Sequence, residues 1–271
     1  MGLKLFNNDS TVSSRIRFYS PYTPYAQLDT ATKTFATSGS ITNLDQLEAV
    51  NTLVLGLKTD SLWTEMKAVY PLIGGTATAH SLNLIDTTKF KISWAGSLTH
   101  SSTGVSGSGV NGGGNTGISP SVDLLQDSTH LSFYCRTNIP GNYLDIGQST
   151  GNRNDCYLYA NRMYASVNSA TVNSITDTNT AVTDTRGFYS ISRTASNVMR
   201  GYQNKSVIIN NSTASGTRPN QNITLLYMNG FGGYSPREYA FFTIGNGLSD
   251  AQMNKLYDRI QAFQTALGRQ V

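Results

Sequence analysis

The sequence predicts a mainly β protein, an antiparallel sandwich or barrel with helices ahead of it and at its C-terminus. Three observations carry this. From Thr76 onward the chain breaks into short runs that alternate apolar and polar residues or are rich in β-formers, among them "KFKISWAG", "HLSFYCRT", "CYLYA", "FYSISRT", "KSVIIN" and "YAFFTIG". Polar turn residues separate these runs at fairly even intervals, the pattern of strands joined by hairpins and not of alternating βαβ units. Helical periodicity is confined to the stretch before Thr76 and to the tail after Leu248.

Residues 1–40 form a weakly patterned N-terminal arm ahead of a domain spanning residues 41–271. In "RIRFYSPYTPYAQLD" Arg15 and Arg17 mix with aromatic residues, and Pro21 and Pro24 disfavour a regular helix or a central strand. Such an arm packs on its own domain or docks on a neighbouring subunit; packing is the first expectation. In "NLDQLEAVNTLVLGLK" Asn43 is placed as N-cap with Gln46 at N3, the capping-box spacing. Leu44, Leu47, Val50, Val54 and Leu57 then recur at helical intervals. "DSLWTEMKAVYPLIGG" reads as a second, shorter helix, capped by Asp60 or Ser61 and stopped by Pro71 and Gly74-Gly75. At the far end Ser249 and Gln252 have capping-box spacing, and Met253, Leu256, Tyr257, Ile260, Phe263 and Leu267 make one apolar face. A single-faced helix closing a β body is expected to lie on a sheet of that body.

Composition narrows the function. Of the 271 residues, 13% are charged and 10% aromatic, which marks a folded chain. The formal charge of +4 comes from a shortage of acid, 16 Asp plus Glu against 20 Lys plus Arg, and not from basic clusters, so no nucleic-acid partner is expected. No apolar run reaches membrane-spanning length, and "MGLKLFNNDS" has no secretory pattern, so synthesis in a cytosol without membrane insertion is expected. Cys135 and Cys156 lack CxxC spacing and are expected as buried free thiols.

Short motif matches do not survive their context. "GSGVNG" fits GxGxxG, but seven glycines fall between Gly104 and Gly117 and no helix follows, so the stretch reads as a flexible loop. "GQSTG" fits GxSxG, yet Ser149 precedes another strand pattern and reads as a hairpin turn. His80, His100 and His130 never reach metal-motif spacing and are expected at the surface or in turns. Only Glu48, Glu65 and Glu238 are glutamates, with no carboxylate cluster on a strand, so no catalytic residue is assigned and no enzyme is expected. Asp145 and Asp155 flank a turn and read as turn-capping or calcium-ligating groups as readily as a catalytic pair. The loops "GNYLDIGQSTGNRND", "ANRMYASVNSATVNS" and "NGFGGYSPREY" carry aromatic faces, amides and hydroxyls, which suit sugars or protein surfaces.

"LWTEMKAVYPLIGGTATAHSLNLIDT", "FKISWAGSLTHSSTGVSGSGVNGGGNTG", "HLSFYCRT", "RGFYSISRTASN" and "SDAQMNKLYDRIQAFQTALGRQV" resemble a group of tailed-bacteriophage virion proteins with a concanavalin A-like lectin/glucanase (laminin-G-like) jelly roll. The resemblance runs from about Leu44 to Val271. It implies an antiparallel jelly-roll sandwich of two sheets with peripheral helices, in a structural or adhesive virion protein such as a tail or capsid fibre. It also implies other virion proteins as partners, and a homo-oligomer, expected as a trimer. The glucanase members' carboxylate cluster is missing here, no metal-ligand motif can be matched, and no cofactor is implied. The leading expectation is a noncatalytic component of the virion, made in the host cytoplasm, that recognises a bacterial surface polysaccharide. Tyr143, Asn152, Arg153, Tyr164 and Tyr234 are its contact candidates. The alternatives are a capsid or tail decoration protein without glycan binding and, last, a depolymerase.

Overall fold

The computed structural model describes residues 23–169, 173–174, 181–229 and 231–271. Residues 1–22 of the arm, with Arg15, Arg17 and Pro21, lie outside them. The chain opens with helices α1 (Thr30–Gly39) and α2 (Leu44–Thr59), strand β1 (Met66–Tyr70) and helix α3 (Ala77–Ser81). Strands β2 (Ser93–Ala95), β3 (Leu98–Ser101), β4 (Gly104–Gly107) and β5 (Gly113–Asn115) precede a short helix, α4 (Pro120–Asp123). Then come β6 (Thr129–Cys135), β7 (Ile146–Gln148), β8 (Arg153–Tyr159), β9 (Arg162–Ser169) and β10 (Asn173–Ser174). After β11 (Gly187–Ala195), β12 (Val198–Gln203) and β13 (Ser206–Asn211), the pieces β14 (Thr224–Leu225), β15 (Tyr227–Met228) and β16 (Phe231–Tyr234) lead to β17 (Glu238–Gly245) and α5 (Asp250–Ala266).

The first sheet runs β13-β12-β11-β6-β17-β4-β3, with β1 also paired to β17; the second runs β10-β9-β8-β7-β14-β5-β2. Their ladders are antiparallel, including the long-range pair β6–β17. This is the antiparallel two-sheet sandwich, with helices before and after it, that the sequence predicted.

Register assigns each side chain a face. Leu131, Phe133 and Cys135 of β6 enter the space between the sheets with Tyr189 and Ile191 of β11, facing Cys156, Leu158, Ala165 and Val167 of the second sheet. The intervening Tyr134, Phe188, Tyr202 and Phe241 turn to the other side. There they meet Leu53, Val54 and Leu57 of α2 and Met253, Leu256, Ile260 and Phe263 of α5. Phe263 meets Phe241 edge to face at 5.6 Å. The first sheet is thus covered on both faces, and β6 is buried at every position. Each fully buried large apolar side chain of this kind contributes about 1.5–3 kcal/mol.

The caps follow the sequence in part. Ser249 and Gln252 form the reciprocal capping box of α5. Asn43 accepts the Gln46 amide, but the Gln46 side chain turns away and accepts from the Gly74 amide at 3.1 Å, tying α2 to the segment after β1. Thr30–Gly39, inside the weakly patterned arm, is a helix. Asp29 caps it through the Ala31 amide, and Phe35 and Ala36 drop into the helical layer, so this part of the arm packs on its own chain.

The second helix expected over "DSLWTEMKAVYP" does not form. Trp63–Glu65 is one 3₁₀ turn and Met66–Tyr70 is β1, paired to β17 through Ala68↔Ile244 and Tyr70↔Phe242. Met66 and Val69 face the helices while Ala68 and Tyr70 face the sandwich core. A strand apolar on two faces and a short buried helix give the same run of residues. The glycine run also does more than loop: Gly104–Gly107 and Gly113–Asn115 are strands. A Cβ at Gly107 would lie 2.1 Å from the Ser235 carbonyl, so only glycine permits that approach. Cys135 and Cys156 are buried free thiols, as expected, and Ser149 lies in the β7–β8 turn.

Two of the three histidines, His80 and His130, are buried and not at the surface. His130 is wholly buried in β6, where Nδ1 donates to the Asn246 carbonyl at 2.5 Å and Nε2 accepts from Thr243. His80 is buried in α3 with Nδ1 against His100 Nδ1 at 2.9 Å, and His100 is half-buried. Spacing in sequence reports nothing of burial, which the packing of α3 and β6 decides. Burial, aided by the neighbouring His100 and Arg269 charges, pushes His80 down to about 3. Burial pushes His130 down to about 4 against the pull of the Asn246 carbonyl.

Asp145 is neither a turn cap nor an exposed ligand group. It is fully buried, with Arg237 Nη1 at 2.9 and 3.2 Å, the Leu158 amide at 2.6 Å and the Tyr239 hydroxyl donating to the same carboxylate. Arg237 also donates to the Ile139 and Leu158 carbonyls, so one ion pair ties the β6–β7 connection to β8 and β17. Removing one partner strands a buried charge. Asp145→Ala is therefore expected to cost about 3–5 kcal/mol in urea unfolding at pH 7. Acid should destabilise the fold through the two buried histidines. Their neutral forms are favoured when folded, so that stability is fully present above pH 6.5 and is lost as pH falls toward about 4 for His130 and about 3 for His80. For His130 the loss amounts to roughly 3 kcal/mol, measurable as a fall in urea midpoint between pH 7 and pH 4.

Candidate functional site

Helices occupy the outer side of the first sheet; on the outer side of the second, β8 is buried at every position but its last, Tyr159. On β8, Cys156 and Leu158 point into the core, so Arg153, Asp155, Tyr157 and Tyr159 point outward. Across the ladder Ser166 stands opposite Asp155, Tyr164 opposite Tyr157 and Arg162 opposite Tyr159. The Tyr157 and Tyr164 rings stack at 5.4 Å with 15° between their planes, and Tyr159 sits edge-on to both at 6.3 and 6.0 Å.

The β15–β16 hairpin folds over part of this face. Met228 packs with Leu144 and Tyr157, and Asn229 bridges to Gln148. Phe231 lies over Arg153 with the guanidinium 5.7 Å from its ring centre, matched by Tyr157 at 5.7 Å. Arg153 is thereby held between aromatic rings, a contact worth about 0.5–2 kcal/mol. Its Nε donates to Asp155 Oδ2 at 2.5 Å and its Nη2 to the Tyr157 hydroxyl at 3.2 Å. Asp155 is fully buried, and burial raises its carboxyl to about 6 although Arg153 and the Ser166 amide favour the charged form. Its Oδ1 meets no hydrogen-bond partner among the described residues. The expected turn-capping or calcium-ligating role for Asp155 does not hold; it is the counter-charge of Arg153.

Arg153 and Tyr157 are buried, at 7% and 4% exposure, so what the arrangement offers at the surface is the partly exposed rings of Tyr159 and Tyr164 and the phenyl ring of Phe231, at 41%. It can stack against a flat apolar face and donate hydrogen bonds. It holds no nucleophile beside a base: the Cys156 thiol lies beneath it, buried and pushed well up by that burial and the Asp145 and Asp155 charges. Among the described residues no cluster of three or more His, Cys, Asp or Glu could hold a metal, and no helix is long and apolar enough to cross a membrane. Two concavities, about 350 and 220 Å³, lie elsewhere, at the N-terminus of α5 against β11 and β12 and between α2 and α5.

Of the five contact candidates, Arg153 and Tyr164 are brought together around Tyr157. Tyr234 stacks on Tyr227 at 5.8 Å within the covering hairpin, half-buried. Asn152 spends its amide on Thr217, Nδ2 lying 2.6 Å from the carbonyl and 2.9 Å from the hydroxyl. Tyr143 covers the buried Arg237 at 5.1 Å. These last two have structural partners that fix them. Loop composition missed Tyr157, Tyr159 and Phe231. The first two were readable from the period-two alternation of "RNDCYLY"; Phe231 depends on the hairpin folding back.

No protein-family model and no curated protein matches the sequence. Solved structures match the fold. The botulinum neurotoxin serotype D binding domain is 12% identical at TM-score 0.51, covering 73% of this chain and 52% of that one. Domain 4 of the extracellular arabinanase AbnA from Geobacillus stearothermophilus, a complex with arabinotriose, is 10% identical at TM-score 0.50, covering 71% and 98%. Trypanosoma rangeli sialidase is 9% identical at TM-score 0.51, covering 78% and 38%. The chain thus spans about half of the neurotoxin domain and nearly all of the arabinanase domain. These likenesses show the fold alone: the two-sheet antiparallel sandwich is shared with these domains.

The site makes a direct prediction. Replacing Arg153 by Met removes the charge that favours ionised Asp155, so the Asp155 carboxyl is expected to titrate above its present value of about 6. A carboxyl-carbon NMR titration checks this. Because the folded pKa would stand further above the unfolded one, the variant's stability should fall as pH rises from about 4 through that new value.

Proposed function

We propose that this chain is a noncatalytic, lectin-like module that binds a saccharide on the outer face of its second sheet, in the service of attachment to a bacterial surface. The observation that carries the reading is the aromatic cluster at the edge of β8 and β9: Tyr159 and Tyr164 partly exposed and Phe231 beside them, braced from beneath by the buried Tyr157 and Arg153. Sugar rings pair an apolar face with a rim of hydroxyls, which suits tyrosine stacking with polar donors alongside. The fold supports the reading in kind, since one solved relative in fold holds arabinotriose. The attachment role, the place in a phage particle and a trimeric state rest on the sequence resemblance to tailed-phage virion proteins. Several copies acting together would compensate for weak single-site binding.

Labelled protein, assayed on a panel of host bacteria with purified surface polysaccharide as competitor, tests the proposal. Saturable and competable binding is the expected result; no binding by the intact oligomer would sink it. Tyr164→Ala should weaken binding about ten-fold while its half-exposed ring costs the fold on the order of 1 kcal/mol, read from glycan titration and urea midpoint together.

A further inference from the structure

We propose that the groove between α2 and α5 is the docking site of this chain's own N-terminal segment, with Ile16 and Phe18 on its apolar floor and Arg15 and Arg17 at its acidic rim. It lies on the helical side of the molecule and is independent of the glycan-binding reading.

Small residues on two neighbouring helices make the groove. Ala262 and Ala266, four residues apart on one face of α5, line it together with Ala49 of α2. Leu53 and Phe263, almost wholly buried, form the floor. The space is about 220 Å³. A closed apolar cavity of about 150 Å³ holds one benzene ring, so a phenyl side chain fits here with room beside it. Covering this floor removes apolar surface from water.

The rim is acidic. Asp45 and Glu48 of α2 stand on it, and Arg259 is the one cation among the lining residues. Arg259 gives its Nε to Asp60 at 2.7 Å, and its stem lies over Gly56. Glu48 joins no ion pair among the described residues.

Thr23 decides which segment reaches the groove. Its amide and hydroxyl donate to the two Glu48 oxygens at 3.2 and 3.0 Å, so the described chain begins on the groove's own rim with residues 1–22 ahead of it. Phe18 precedes Thr23 by five residues, a reach of at most about 18 Å. From Arg259 to Ala266 the groove runs about 10 Å along α5. In "RIRFY" two apolar residues alternate with two arginines, which matches an apolar floor beside an acidic rim. A segment tethered this closely has an effective concentration on the order of millimolar at the groove, which favours it over a free partner.

The test uses the full chain with one surface thiol added, since Cys135 and Cys156 are buried. At Ala262→Cys, in the groove, maleimide labelling is expected to be at least ~10-fold slower than in the same protein also carrying Ile16→Ser and Phe18→Ser. Ala251→Cys, exposed at the other end of α5, should label equally fast in both backgrounds, which separates uncovering of the groove from loss of the fold. Arg15→Glu with Arg17→Glu should restore part of the labelling rate, by a margin that shrinks in high salt. Phe18→Cys with Ala262→Cys should form a disulfide within one chain under oxidised glutathione, at a rate that dilution leaves unchanged. Equal labelling at Ala262→Cys in both backgrounds, or a disulfide that joins two chains, would overturn the proposal.

Discussion

The structure depends on one constraint: its first sheet is apolar on both faces. Leu131, Phe133 and Cys135 need the second sheet, and Tyr134, Phe188 and Phe241 need something else. That second requirement is met by α2 and α5, with α1 filling beside them through Phe35. The closing helix is therefore no appendage. Without it Tyr134, Phe241 and their neighbours would face water, and the Ser249–Gln252 capping box fixes where it begins. A two-layer sandwich becomes a three-layer one for a reason written into single strands.

Charge is buried where the layers are joined. Arg237 and Asp145 lock the loop before β7 to β17 at one end of the sandwich. Arg269, past the end of α5, pairs with no carboxylate among the described residues. It donates to the carbonyls of Leu72, Pro71 and Ala240 and to Gln264, and burial pushes it down to about 9. Arg193 does similar work for the carbonyls of Val167, Ser196 and Thr213. Irregular connections over a jelly roll leave carbonyls that no ladder satisfies, and a guanidinium with five donors reaches several at once. These three arginines are structural for that reason, and Arg153, buried against Asp155, Tyr157 and Phe231, is held as they are.

Position on the sandwich also separates the two roles of the aromatic residues. Fifteen tyrosines is a high count for one chain, yet Tyr70, Tyr134, Tyr189, Tyr202 and Tyr239 are core residues with hydroxyls spent on internal partners. On β8 and β9, Tyr157 is buried as well, while Tyr159 and Tyr164 are partly exposed. The β15–β16 hairpin shields one end of the second sheet and contributes Phe231.

Much of this was legible in the chain. The alternation in "HLSFYCRT" and "YAFFTIG", the Asn43 and Ser249 caps and the single-faced final helix all express local periodicity, which follows from backbone geometry and needs no knowledge of neighbours. Where a segment serves two faces at once, periodicity loses its meaning: Met66–Tyr70 read as helix and is a strand, because both of its sides are covered. Thr30–Gly39 gave little pattern because few of its residues are buried. The site divided in the same way. Arg153 and Tyr164 could be chosen from composition, but the stacking of Tyr157 on Tyr164, the burial of Asp155 and the return of Phe231 over Arg153 join residues distant in sequence. Local sequence determined the kinds of element and their caps. Only the tertiary structure decided which sheet the helices would cover and which residues of the other would reach the surface, since that choice is made by long-range burial of apolar area and not by any one segment's preference.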